Sequence, residues 1–209
     1  MTRLWAAPMI LHTSDGPMNS RRSAMQTLYH PNSIAYTGAE LRSHWLMNSF
    51  DTPGDAIAAF VGPCDVALTE MVDLEDVAAG QSIRSALMLH FIAEHFDHDL
   101  ERMVLRQRLF IAMIGEALAS RENVPDLRRE GDDLYAGERK LSVSIATASP
   151  VSTLMHVGLN VDPTGAPVPA VGLAEWGVDP EELARELLEA YASEMDGIAR
   201  ARCKVRGVR

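Results

Sequence analysis

Lysine is nearly missing from this chain: its 209 residues include two, Lys140 and Lys204, against seventeen arginines. Cysteine is equally scarce. Cys64 and Cys203 stand far apart and in no CxxC spacing, which argues against a disulfide scaffold or a thiolate metal cluster and fits reduced thiols in a cytoplasmic protein. Excess positive charge is absent too, since the net charge is −10; no broad nucleic-acid surface is expected, because phosphate neutralisation needs clustered Lys and Arg. No run of eighteen apolar residues occurs, so no membrane helix is expected. A glycine-rich nucleotide fingerprint, an internal repeat and low-complexity tracts are all lacking. What remains is ordinary for a folded domain: 47% hydrophobic and 23% charged residues.

The first residues, "MTRLWAAPMILHTSDGPMNSRRSAM", contain a short apolar stretch without a long signal core. They read as a poorly ordered extension over residues 1–25, with Met18 or Met25 as alternative starts, followed by a single domain over residues 26–209.

Along that domain, "AELRSHWLMNSF" has helical spacing and "AIAAFVG" is short and apolar enough for a buried strand. The Gly62-Pro63 pair is expected to turn the chain, leaving Cys64 exposed at a turn. "CDVALTEMVDLED" then reads as a strand ending at Asp73, Glu75 and Asp76. In "QSIRSALMLHFIAEHF", Ile83, Ala86, Leu87, Leu89 and Phe91 fall on a helical period without Gly or Pro, which predicts a helix. A second helix is expected in "MVLRQRLFIAMIGEALASREN". "DLYAGERKLSVSIATA" reads as a β-hairpin, "STLMHVGLNV" as a strand and "DPTGAPVPAVGL" as a surface loop. The last helix opens at Asp179 as cap, with Pro180 in its first turn. This order lacks βαβ alternation and predicts an α+β fold, with a mixed, mainly antiparallel sheet flanked by helices.

Lys140 lies at the start of the hairpin's second arm, on the face of Ser142 and Ser144. A chain that meets its other needs with arginine has put a compact ammonium there, which suits a carboxyl or phosphoryl oxygen that gains charge during a reaction. "DDLYAGERKLSVSIA" resembles the hairpin of biotin and lipoate protein ligases. The resemblance implies that Lys140 approaches an acyl carboxylate or adenylate phosphate and that Asp133 lies near nucleotide phosphates and metal. It also implies that Gly137 makes the turn and that Asp132 stands at the family's usual asparagine. It carries ATP and Mg as cofactors, a small-molecule substrate and, as the common assembly, a homodimer. The segments "YTGAEL", "GPCDV", "MVDLED", "RQRL" and "RKLSVSIATASPVSTLMH" are similar to those of a prokaryotic family, domain of unknown function 366, placed in the same fold as these ligases and class II aminoacyl-tRNA synthetases. Two departures stand out. Where the ligases carry an Arg- and Gly-rich phosphate loop, this chain has "EDVAAGQSIRSALMLHF" with one of each, and a usual glycine is Val143.

Other residues offer further chemistry. Cys64 could serve as an acyl-transfer nucleophile, and Arg84 and Arg129 could clamp an anion. Asp73, Glu75 and Asp76 could hold magnesium. His90, Glu94 and His98, spaced four residues apart on the expected helix, could ligate a divalent metal. The bland readings are an acidic strand end, a solvated helix face and a small core cysteine; His156, in an apolar strand, reads as a hydrogen-bonded core histidine. Three functions follow: a ligase- or acyltransferase-like enzyme built on Lys140 and Asp133, a noncatalytic small-molecule-binding protein on the same fold, or a metal-dependent hydrolase on the histidine face.

Overall fold

The computed structural model describes residues 25–80 and 82–208. The expected extension therefore lies outside the described residues except for Met25, which is buried in the core. Along the chain come β1 (Gln26–His30), α1 (Trp45–Phe50), β2 (Ala56–Val66), α2 (Leu74–Ala79), β3 (Ile83–His95) and α3 (Leu100–Ala119). There follow β4 (Leu127–Glu130), β5 (Asp133–Ala136), β6 (Arg139–Lys140), β7 (Ser142–Ala148), β8 (Thr153–Asp162) and α4 (Pro180–Ala201). Five strands form one sheet in the order β1-β2-β3-β8-β7, and β4-β5-β6 form a smaller one. β1 pairs with β2 in parallel and every other pairing is antiparallel, so the sheet is mixed and mainly antiparallel as expected.

The two faces of the large sheet are covered differently. Against one lie α3 and α4, whose Phe110, Ile111, Ile114, Leu187 and Tyr191 pack on Leu89, Phe91, Met155 and Val157. Against the other lies a smaller cluster in which Tyr36, Leu41 and Leu46 cover Phe60, Met88, Ile92 and Leu154. Adjacent residues of β3 and β8 thus enter different apolar layers, which gives β3 the apolar pattern of a helix. Residues 83–95 are a 13-residue strand, not a helix. A central strand buried on both faces reads as a continuous apolar run, in which a helical period is easily found. Leu, Ala and Met are among the best helix formers, but the preference is worth only tenths of a kcal/mol per residue, roughly, and pairing with β2 on one side and β8 on the other overrides it.

β2 also departs from expectation. It does not turn at Gly62-Pro63 but continues to Val66, and the register against β3 shifts between Gly62 and Cys64. Pro63, which has no N–H to give a ladder, falls at this irregularity. Beyond β2 no strand reaches the acidic group. Asp73 instead caps α2, its carboxylate accepting the Glu75 and Asp76 N–H groups at 2.8 and 3.2 Å. The expected α1, α3, hairpin, β8 and α4 are all present, and Asp179 caps α4 with Pro180 in the first turn.

Candidate functional site

A cavity of about 240 Å³ opens on the sheet face away from α3 and α4, between the end of the hairpin, β8 and the segment around α2. Lys140 is fixed on its wall by backbone bonds. Its N–H donates to Pro169 at 2.9 Å and its carbonyl accepts from Val171 at 3.1 Å, joining the hairpin to the proline-rich loop. Its ammonium meets the Asp133 carboxylate at 2.8 Å, and both side chains are only about a quarter exposed, at 27% and 23%. Burial pulls the Lys140 pKa down, but the hydrogen bond and charge of Asp133 outweigh it and hold the group above the ordinary lysine value. Burial in turn lifts the Asp133 carboxyl, opposed by Lys140. The site therefore presents a charged ammonium with one of its three donors directed to Asp133.

Asp132 faces the same cavity. Its Oδ2 accepts from Gln107 Nε2 at 2.9 Å and lies 3.0 Å from Ser144 Oγ, and Gln107 also donates to Ser144 at 2.7 Å. Gln107 was missed in the sequence, although a signal exists. It lies among Met103, Phe110, Ile111 and Ile114 on the buried face of α3, where a polar residue needs a partner.

The remaining expected residues divide. Arg84 lines the cavity but pairs with Asp65 at 3.1 Å. Asp73 and Asp76 also line it, Asp73 being occupied as a cap. Glu75 is not among the lining residues. Arg129 is not there either: it lies on β4 and donates to the Gly131 carbonyl at 2.6 Å. Ser142 is fully buried and its Oγ accepts the Leu134 N–H at 2.8 Å, so it holds the hairpin together rather than a ligand. Gly137 has φ 59, the left-handed geometry that the turn requires.

Cys64 is not an exposed nucleophile. It lies in β2 at 1% exposure, and burial, with the charge of Asp65 added, pushes its thiol up to about 12. At pH 8 the thiolate fraction is about one in ten thousand. Treating the folded protein with iodoacetamide should modify Cys203, which is exposed, and spare Cys64; rapid alkylation at Cys64 would restore it as a candidate.

The expected metal ligands do not converge. His90 and Glu94 are on a strand and buried; Glu94 accepts from the His44 N–H at 2.9 Å and from Ser152 Oγ at 2.6 Å. Among the described residues, no group of three or more His, Cys, Asp and Glu could hold a metal ion. The helical His90, Glu94 and His98 face on which a metal-dependent hydrolase was expected is not formed, since residues 83–95 are a strand.

His90 belongs instead to an aromatic stack under the cavity that the sequence did not reveal. His90 Nδ1 lies 3.0 Å from His156 Nε2, and His90 Nε2 lies 3.2 Å from the Gly62 carbonyl. Tyr36 stacks on His156 with ring centroids 3.8 Å apart and planes 8° apart. His156 is thus the hydrogen-bonded buried histidine expected, but it also lines the cavity.

The family described as domain of unknown function DUF366 matches residues 25–206. The chain belongs to that family. Uncharacterized protein MJ0805 of Methanocaldococcus jannaschii is 37% identical over 183 residues, covering 84% of this chain and 82% of that protein. A protein of unknown function from Pyrococcus horikoshi superposes with a TM-score of 0.84 at 40% identity, over 88% of this chain and 100% of that one. More distantly, a mutant biotin protein ligase from Aquifex aeolicus in complex with biotin gives a TM-score of 0.52 at 16% identity, over 82% and 70% of the two chains. The biotin protein ligase from Aquifex aeolicus with biotin and ATP gives 0.50 at 18%, over 79% and 68%. Protein Ta0514 of T. acidophilum, a candidate lipoate protein ligase, gives 0.52 at 15%, over 81% and 84%. This DUF366 chain therefore has the biotin and lipoate ligase fold. Among the described residues, no helix is long and apolar enough to cross a membrane.

Proposed function

We propose that this DUF366 protein binds a small carboxylic acid, or an acyl derivative of one, in the Lys140 cavity, and acts on it as a ligase- or acyltransferase-like enzyme of the cytoplasm. The observation that carries this reading is the charged Lys140 ammonium held by Asp133 at 2.8 Å on the wall of a cavity of small-molecule size. Lys140 keeps two donors for a ligand oxygen. In a partly desolvated wall such a donor stabilises charge that develops on an acyl oxygen far better than it would in water. Asp133 orients the ammonium and sustains its charge, and the backbone bonds of Lys140 to Pro169 and Val171 fix its position.

The cofactors implied by the fold fit less well. Glu70, Asp73, Asp76, Asp132 and Asp133 line the cavity against two cationic side chains, Lys140 and Arg84, each already paired. Magnesium needs only one or two carboxylates beside the phosphates of its nucleotide, and Asp76 or Asp132 would serve it, but five carboxylates against two paired cations leave little to hold the triphosphate itself. An already activated acyl donor therefore suits the site better than ATP.

The second reading, a noncatalytic binder, is favoured by the burial of Cys64 and by the lack of any cysteine among the described residues that line the cavity. The two readings differ in turnover, not in binding. Thermal shifts of wild type and Lys140→Ala against biotin, lipoate, octanoate and ATP with magnesium test the shared premise. A ligand at 100 times its Kd stabilises by about 2.7 kcal/mol, which raises Tm by about 5–10 °C for a domain of this size. That rise should appear in wild type with one of the acids and disappear in Lys140→Ala. If an acid stabilises both proteins equally, Lys140 is not at the site. Release of product from the matching acyl donor separates enzyme from binder, with a loss in Lys140→Ala of about 100-fold or more expected for an oxyanion-stabilising group.

A further inference from the structure

The hydrogen bonds beneath the cavity determine which ring nitrogens carry protons. A carbonyl oxygen only accepts, so His90 Nε2, 3.2 Å from the Gly62 carbonyl, carries a hydrogen. His90 is completely buried, stacks on Phe60 and has no carboxylate bonded to its ring, so it is neutral and its Nδ1 is a lone pair. The 3.0 Å contact then requires a hydrogen on His156 Nε2. His156 is 3% exposed and neutral for the same reasons, which leaves its Nδ1 as a lone pair.

That lone pair has no hydrogen-bond partner among the described residues. The Tyr36 hydroxyl has none either. Neither atom is sealed in the core, since the one fully buried side-chain N or O atom without a partner among the described residues is Thr52 Oγ1. Both residues line the cavity, which is the open space beside them. Tyr36 stacked on His156 and Phe60 stacked on His90 clamp the rings against flipping. The acceptor is therefore fixed in place and in protonation state before a ligand arrives.

The register places this acceptor relative to Lys140. His156, Gly158 and Asn160 alternate along one face of β8, and Asn160 Nδ2 donates to the Lys140 carbonyl at 3.3 Å. Positions 156 and 160 are roughly 13 Å apart along the strand. Between them Gly158 has no side chain, and Met88 lies close enough over it that a Cβ there would stand 2.2 Å from the sulfur. Val143 and Ile145 of β7 add an apolar wall.

We propose that this cavity selects a ligand whose end remote from Lys140 carries an uncharged N–H or O–H donor, accepted by His156 Nδ1, with an apolar middle against Met88, Val143 and Ile145. The inference rests on the cavity being the binding site and deepens that reading by naming the substrate class: an acid with a neutral donor at its far end, as opposed to a plain fatty acid.

The test uses two probes that carry no carboxylate and so do not depend on Lys140: pyrrolidinone, a lactam with one N–H, and N-methylpyrrolidinone, which has none. In wild-type protein with ¹⁵N-labelled histidine, His156 Nδ1 should give the resonance of an unprotonated ring nitrogen. Millimolar pyrrolidinone should shift it upfield and N-methylpyrrolidinone should leave it in place. His156→Asn, which keeps an acceptor near the Nδ1 position, should retain the response of the Gly158 amide to pyrrolidinone, and His156→Phe should lose it. A protonated Nδ1 in the free protein, an equal response to both probes, or no response to either overturns the inference. The acyl reading fails separately, if carboxylates bind equally well to Lys140→Ala while pyrrolidinone still shifts His156.

Discussion

Gly62→Ala should come close to abolishing folding, although it adds one methyl group. A Cβ at Gly62 would stand 1.8 Å from the Ile34 carbonyl oxygen and 2.6 Å from its carbon. The obstacle is backbone, which cannot swing aside as the end of a side chain can, so the two segments must separate. Separation breaks the bond from the Ile34 N–H to the Val61 carbonyl, now 3.2 Å, and displaces the Gly62 carbonyl that orients His90. Overpacking of a fixed interior commonly costs about 1–3 kcal/mol, and the broken and misdirected hydrogen bonds add about 1 kcal/mol or more each. A total of about 4 kcal/mol or more approaches the whole stability of an ordinary domain. Urea unfolding at neutral pH measures it. A Gly62→Ala protein within about 1 kcal/mol of wild type would mean that the segment carrying Ile34 and Tyr36 is not packed as described, and the cavity floor would fall with it.

Mild acid should destabilise the protein earlier than carboxylate titration can explain. Burial, partly opposed by the hydrogen bond to Gly62, depresses His90 to about 3. Burial and the neighbouring His90 lower His156 well below its ordinary value. In the unfolded chain both titrate near 6.5. Above about pH 7 neither state is protonated and the pair contributes no pH dependence. As pH falls below 6.5 the unfolded chain takes up two protons that the folded protein refuses, so stability falls with pH. The slope is about 1.4 kcal/mol per pH unit for each histidine, continuing until the folded groups protonate. Between pH 6.5 and 4.5 His90 by itself removes about 2 kcal/mol, and His156 adds to the fall in the same direction. Asp55 and Asp97, both depressed below the ordinary aspartate value, lose their contributions only at lower pH, and Asp133, which burial lifts, takes up its proton first in the folded protein and so opposes the fall; a steep loss above pH 5 therefore reports the histidines. Burial of Asp55 and Asp97 works against those depressions; what lowers Asp55 most is its bond to His95, and what lowers Asp97 is Arg106. Urea midpoints between pH 7.5 and 5 should fall steeply. A flat profile would show that one of the pair is charged in the folded state, which would also reverse the proton assignment at His156.

Much of this protein was legible in its sequence. The single lysine of the hairpin marked the wall of the cavity, because a residue type that is otherwise avoided is informative where it does occur. Alternation over residues 141–146 gave β7, Asp179 and Pro180 gave the start of α4, and the hairpin motif led to the ligase-like fold that the DUF366 chain has. These features are local. A cap, a turn glycine and a half-exposed strand are each determined by a few neighbouring residues, and the chain carries them wherever they lie.

Tertiary structure decided the rest. Residues 83–95 are apolar on both faces because a helical layer covers one and the Tyr36 cluster covers the other. A strand buried twice loses the alternation by which a strand is recognised, and the expected His90, Glu94 and His98 face vanished with the expected helix. Cys64 changed from an exposed turn residue to a buried one because β2 runs on through Gly62-Pro63 in a register shift that only the pairing with β3 specifies. The contacts Asp132–Gln107–Ser144 and Tyr36–His156–His90–Gly62 join residues separated by 25 to 66 positions at the side-chain links Gln107–Asp132, Gln107–Ser144 and His90–His156. No local pattern encodes such partners. Sequence by itself determined which side chains were available for chemistry, whereas pairing, burial and the direction of each hydrogen bond determined which of them face a ligand and which proton each one holds.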